Sequence, residues 1–170
     1  MCKARMLIDK KADPATPTDT SACFSVRAGK NASARRCLVV DDDPIILRLV
    51  AEMLAELGFE VGTAENGLKA LSKIVTCGYD LVMTDLEMPV MNGFTLATRT
   101  KGHSDGTKIV IMTGRCHAEV FNMMDRSVVD AWLFKPFGWT ELCQTLGDLK
   151  LFNTLRNLKR NVNLLFLGNY

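Results

Sequence analysis

"DLVMTDLEMPVMNG", residues 80–93, decides how the chain is read. Leu81, Val82 and Met83 form a short apolar run rich in strand formers. Pro89 and the Asn92-Gly93 pair that follow are turn punctuation. Asp85 therefore falls at the C-terminal end of a strand, where the chain enters a loop. Open α/β sheets keep their chemistry at that edge.

Working outward from this stretch, the same rhythm recurs on both sides. "CLVV" (37–40) is a continuous apolar strand suited to a sheet covered on both faces. "DDDPIILRLVAEMLAELG" then supplies a helix. Asp43 can cap its start, Pro44 fits its first turn and Gly58 can end it. Ile46, Leu49/Val50, Met53 and Leu57 recur at helical spacing. "FEVGTA" predicts a second strand, and "NGLKALSKIV" a helix capped by Asn66. After the strand that ends in Asp85, "GFTLATRT" predicts a short helix and "HSDGTK" a loop. "IVIMT" (109–113) is a fourth strand, "CHAEVFNMM" a weaker helix, "DAWLFK" a fifth strand and "GWTELCQTLGDL" a last helix. Strands alternating with helices in this way argue for βαβ units and a parallel sheet. Right-handed crossovers place every strand C-terminus at one edge. That edge carries Asp41, Asp42 and Asp43 after strand one, Asp85 after strand three, Thr113 after strand four and Lys135 after strand five.

Carboxylates converging in a small space repel one another and need compensation. A divalent cation with oxygen ligands supplies it, and Mg²⁺ characteristically takes one or two carboxylates plus waters and phosphate oxygens. A lysine adds a point charge suited to an anion, and a threonine hydroxyl adds a donor. Carboxylate nucleophile, metal, cation and hydroxyl together describe phosphoryl transfer onto an aspartate. Taken singly, each residue has an ordinary explanation: a helix cap or loop acid, a strand threonine, a surface lysine. Their shared edge is what lifts them. Asp43 is better explained as a helix cap than as a ligand.

"LVVDDDP", "DLVMTDLEMPVMNG", "IVIMTG" and "LFKPF" are together similar to the four signature stretches of the receiver domains of bacterial two-component response regulators, in order and at family-like intervals. The resemblance covers residues 36–149. It implies a flavodoxin-like (βα)5 doubly wound parallel sheet of order 2-1-3-4-5; the spacing alone gave the parallel class and not the order. It implies that Asp41 and Asp42 help bind Mg²⁺, that Asp85 is the phosphoacceptor, and that the backbone carbonyl of Glu87 also ligates the metal. It implies that Thr113 and Lys135 contact the phosphoryl group, and that a cis peptide bond precedes Pro136. Trp132 stands where the family carries an aromatic switch that follows the threonine, commonly Tyr or Phe. "RSVVDAW" replaces the small-residue pair seen before strand five in many relatives. The expected donor is a sensor histidine kinase or a histidine phosphotransfer protein, with a downstream protein partner; a homodimer is left open.

A second reading competes. "LVVDDDPI" loosely resembles the strand-then-DxD signature of haloacid-dehalogenase phosphatases through Asp41 and Asp43. It leaves the Met-Pro and Lys-Pro-Phe stretches unexplained.

Composition bounds the rest. The chain has 170 residues, of which 48% are hydrophobic, enough for one domain with a real core. No apolar run is long enough to span a bilayer, and "MCKARMLIDKKADP" has no secretion-signal core, so the expected location is the cytoplasm. Six scattered cysteines without CxxC predict free thiols, and with only two histidines a zinc site is not expected. Residues 1–36 carry eight Lys/Arg against three Asp, residues 37–150 carry ten against sixteen Asp/Glu, and residues 151–170 carry three and no acid. An acidic body with basic ends is not the footprint of a nucleic-acid reader. Residues 1–35 are expected to be a flexible extension. Residues 150–170 are expected to be a C-terminal extension, too short for a helix-turn-helix domain, which suggests a stand-alone regulator.

Overall fold

In the computed structural model, residues 34–120 and 127–151 are described. Most of the two expected extensions and the end of the "CHAEVFNMM" helix lie outside them. The elements are β1 (Arg36–Val40), α1 (Pro44–Glu56), β2 (Glu60–Ala64), α2 (Gly67–Cys77), β3 (Leu81–Asp85), α3 (Gly93–His103), β4 (Lys108–Thr113), α4 (His117–Val120), β5 (Ala131–Phe134) and α5 (Trp139–Asp148). The five strands are all parallel and lie in the order β2-β1-β3-β4-β5. This is the expected fold.

Alternation along the strands divides the core. Cys37, Val39, Leu81, Met83, Val110 and Met112 face one side, where Val50 and Leu54 of α1 and Leu142 and Leu146 of α5 cover them. Leu38, Val40, Val82, Ile109 and Ile111 face the other, under Ala70 and Ile74 of α2 and Leu96 and Ala97 of α3. Each large apolar side chain so buried contributes roughly 1.5–3 kcal/mol. All five residues of β3 are buried, Asp85 included. A covered parallel strand reads as a continuous apolar run for this reason.

The caps match the sequence reading and add to it. Asp43 accepts from the Ile45 amide at 2.8 Å, and Asn66 from the Lys69 amide at 2.9 Å. Asn92, first read as turn punctuation, also caps a helix, accepting from Thr95 at 2.8 Å. Helix α3 runs to His103, past the expected "GFTLATRT". Its last turn is tied down by Lys101, which donates to Asp130 and to the Thr107 carbonyl. Asp130 also takes Lys108 and the Ile109 amide, fastening α3, β4 and β5 at the edge away from Asp85. Burial works to raise its carboxyl, but the two lysines prevail and hold it below the usual range. Cys37, Cys116 and Cys143 are free, as expected, whereas Cys77 is disulfide-bonded, contrary to the expectation of free thiols.

Candidate functional site

The strand C-termini bring three charged groups into contact. Lys135 Nζ donates to Asp41 Oδ2 at 2.7 Å and to Asp85 Oδ1 at 2.6 Å. Asp41 is 1% exposed and Asp85 8%. The backbone fixes the other oxygen of each carboxylate. The Asp43 amide donates to Asp41 Oδ1 at 3.0 Å, and the Glu87 amide to Asp85 Oδ2 at 2.7 Å. Every oxygen of the pair thus has one donor and keeps lone-pair capacity. Burial pushes the Asp85 carboxyl above the usual carboxylate range, against the pull of Lys135 and the Glu87 amide. Burial also works to lower the Lys135 ammonium, but Asp41 and Asp85 outweigh it and hold it above the ordinary lysine range. One ammonium shared by two carboxylates remains firmly charged, while Asp85 is incompletely compensated.

The loop after β3 is shaped around Asp85. The Leu86 amide donates to the Met112 carbonyl, and the Gly93 amide returns to the Leu86 carbonyl. A Cβ on Gly93 would lie 2.1 Å from the Asp85 carbonyl oxygen, so only glycine allows this approach. Val90, at the loop tip, has φ 71° and is 80% exposed, and the Met91 amide bonds back to the Pro89 carbonyl across it. That is a γ-turn bond carried by a β-branched residue with positive φ.

Thr113 ends β4, 1% exposed, and its hydroxyl oxygen accepts from the Arg115 amide at 3.1 Å. The Lys135 amide donates to the Thr113 carbonyl at 2.7 Å, tying the lysine strand to the threonine strand. The Lys135–Pro136 bond is cis, as the resemblance implied. Arg115 Nη2 also pairs with Glu87 Oε1 across the mouth of the site, and this guanidinium holds the Glu87 carboxyl below its usual range. A pocket of about 390 Å³ lined by Leu86, Glu87, Met88, Asn92 and Arg115 opens beside them. Asp42 is exposed and next to Asp41 in the chain. Trp132 is half-buried on the side of the sheet that carries α2 and α3, opposite Ile111 in register, while Phe134 pairs with Thr113. The Phe134 ring lies 5.6 Å from that of His117.

Asp41, Asp85 and Lys135 are thus brought together, Thr113 borders them through backbone, and Asp42 and Trp132 lie outside the contacts. Among the described residues no group of three or more His, Cys, Asp or Glu side chains is gathered to hold a metal by itself. The donor chemistry still fits a hard cation. Buried and exposed carboxylate oxygens meet at one edge, and Mg²⁺ needs only one or two of them beside water and phosphate oxygens. Sequence reasoning missed the role of Gly93. Its one signal, the Asn-Gly pair, was spent on a turn.

The family model for the response regulator receiver domain matches residues 37–147. The chain is a response regulator receiver domain. Among curated relatives of this receiver, the sensor histidine kinase RcsC of Salmonella typhi is 37% identical over 110 residues, which cover 65% of this chain and 12% of that protein. The sensor histidine kinase GacS of Pseudomonas protegens is 35% identical over 121 residues, covering 68% and 13%. The receiver therefore spans about an eighth of the length of such relatives. Among solved structures it is similar to the chemotaxis protein CheY4 of Vibrio cholerae, with 31% identity and a TM-score of 0.64 over 68% of this chain and 98% of that one. It is also similar to the response regulator protein TrrA of Thermotoga maritima, solved in complex with Mg²⁺-BeF, with 36% identity and a TM-score of 0.62 over the same shares. The receiver family is a signalling family, and the haloacid-dehalogenase alternative is not supported. No helix among the described residues is long and apolar enough to cross a membrane.

Proposed function

We propose that this receiver accepts a phosphoryl group on Asp85 from a phosphohistidine, carried by a sensor histidine kinase or a histidine phosphotransfer protein, and passes the change to a downstream protein partner in the cytoplasm. The observation that carries this reading is the single ammonium of Lys135 held between two buried carboxylates at the sheet edge. An Asp85 oxygen attacks phosphorus. The P–N bond to the donor imidazole breaks, and the imidazole keeps the electron pair and takes up a proton. Asp41, Asp42, Asp85 and the Glu87 carbonyl would hold Mg²⁺, whose chemistry is to neutralise the charge gathering on the transferring group.

The protein's own residues do the remaining work. Lys135 is within reach of an oxygen on the new phosphoryl group, because it already bonds the carboxylate that receives it. The Glu87 amide fixes the rotation of the Asp85 carboxylate and leaves a lone pair free for attack. The Thr113 hydroxyl keeps its own hydrogen to donate to a phosphoryl oxygen. A shift of Thr113 toward that oxygen would pull on the loop that starts at Arg115 through the 3.1 Å bond between them. It would also open space for Trp132, the proposed switch, to turn inward.

Incubation with acetyl phosphate and Mg²⁺, and separately with p-nitrophenyl phosphate, tests the reading. The expected result is one acid-stable, base-labile label per chain, with no sustained release of nitrophenol. Repeated turnover of p-nitrophenyl phosphate would return the phosphatase reading.

A further inference from the structure

The side of α1 turned to solvent is apolar where a helix exterior is usually polar. Ile45 is 67% exposed and Leu49 51%, one turn apart. Below them on the same stripe stand Glu52 and Glu56, both exposed. Glu52 meets only Arg48, at 3.8 Å and with both side chains largely in water, a pair that is weakly held. The face is thus apolar toward the active-site end and acidic toward the other.

The chain supplies a segment with the matching pattern. Helix α5 ends where Lys150 takes φ 56°, the Lys150 amide donating to Gly147 and the Leu151 amide to Leu146. This closure turns the chain and buries Leu151 in the same core cluster as Val50, Leu54 and Leu57 of α1. The polypeptide therefore leaves the fold in the layer that contains α1. Exposed Leu68 and Val75 belong to α2, across the sheet, and compete poorly for it. In the next stretch, "FNTLRNLKRNVNLLF" (152–166), Phe152, Leu155, Leu158, Val162 and Phe166 recur at helical spacing. Arg156, Lys159 and Arg160 lie along one edge of that stripe, with no acid in the segment.

Length and charge agree on one register. Fifteen helical residues span about 22 Å, and the thirteen of α1 about 20 Å. If Phe152 starts beside the C-terminal end of α1 and the segment runs antiparallel, equal rise sets Arg156 beside Glu56 and Lys159 beside Glu52. Val162 then meets Leu49, and Phe166 meets Ile45. Basic groups face the acidic half and apolar groups the apolar half.

We propose that the outer face of α1 is the docking site of the chain's own residues 152–166, bound as an antiparallel amphipathic helix. This goes beyond the phosphoacceptor reading and does not depend on it. Ile45 follows Asp43 by two residues, so the docked segment ends beside the approach to Asp42 and narrows it.

Hydrogen exchange of the full chain, followed by mass spectrometry at two protein concentrations, tests the proposal. A free fifteen-residue helix is marginal in water, so protection of its amides reports docking. Amides 153–165 should exchange at least about ten-fold more slowly than unstructured peptide. That protection should largely vanish in Ile45→Gln/Leu49→Gln, whose changes are exposed and leave the core intact. It should also weaken in Glu52→Lys/Glu56→Lys and return when Arg156, Lys159 and Arg160 are changed to Glu in that background. Unprotected amides, or protection indifferent to both α1 variants, would overturn the proposal. Protection that disappears on dilution would overturn it too, and would assign the face to a second copy of the chain.

Discussion

Replacing Lys135 by Met keeps the length of the side chain and removes its charge. Two carboxylates then lose their shared cation. Asp41 and Asp85 are 1% and 8% exposed, so water cannot take the place of the ammonium. Each lost bond is charge-assisted and worth about 1.5–3 kcal/mol. Breaking a buried ion pair from one side costs about 3–5 kcal/mol. The lysine side chain is 22% exposed and loses some hydration on folding, which returns part of that cost. We expect a net loss of about 3 kcal/mol near neutral pH. With a urea slope of about 1.5 kcal/mol per molar, the unfolding midpoint falls by about 2 M.

The pH dependence gives the sharper test. In the parent, burial already raises the Asp85 carboxyl, and without Lys135 it rises further. A carboxyl raised in the folded state binds more protons there than in the unfolded chain, so stability increases as pH falls through its folded value. Protonation of either acid also turns it into a donor to the other. The gap between Lys135→Met and the parent should therefore shrink by at least about 1 kcal/mol between neutral pH and pH near 4.5. Urea titrations at both pH values measure it. A loss below about 1 kcal/mol at neutral pH, or a gap that does not change with pH, would refute the claim that this lysine neutralises a buried pair.

Gly93→Ala should cost about 3 kcal/mol by urea unfolding and slow phosphorylation as well, because the methyl group meets the Asp85 carbonyl at 2.1 Å and must move it. Val90→Asn should raise stability by about 1 kcal/mol, since asparagine tolerates the φ of 71° and an 80%-exposed valine loses little packing; an unchanged midpoint would show that the turn is not strained. Once phosphorylated, Glu87→Ala and Arg115→Ala should each shed label faster than the parent, because their ion pair crosses the path of in-line water, and the double variant should be little faster than either. Single variants that match the parental rate would remove the pair from that role.

Much of this was readable before any coordinates. Periodic apolar runs and caps such as Asp43 and Asn66 report local physics, so the elements and the parallel class followed from them. The convergence of Asp41, Asp85 and Lys135 followed from strand ends meeting at one edge. What stayed hidden depends on distance across the fold. Nothing near Asp130 announces that Lys101, 29 residues earlier, will pair with it and lengthen α3. The positive φ of Val90 runs against the preference of its own side chain and is imposed by the loop on either side. Gly93 looked like turn chemistry because its neighbour in space, the Asp85 carbonyl, is not its neighbour in sequence.

The assignment of Asp85 as acceptor can be tested at the residue itself. The full chain is treated with acetyl phosphate and Mg²⁺, reduced with borohydride to trap an acyl phosphate, and mapped by peptide mass spectrometry. The account predicts homoserine at position 85 alone, none without Mg²⁺, and none in a folded Asp85→Asn chain. Trapping at another aspartate, or full labelling of Asp85→Asn, would contradict it.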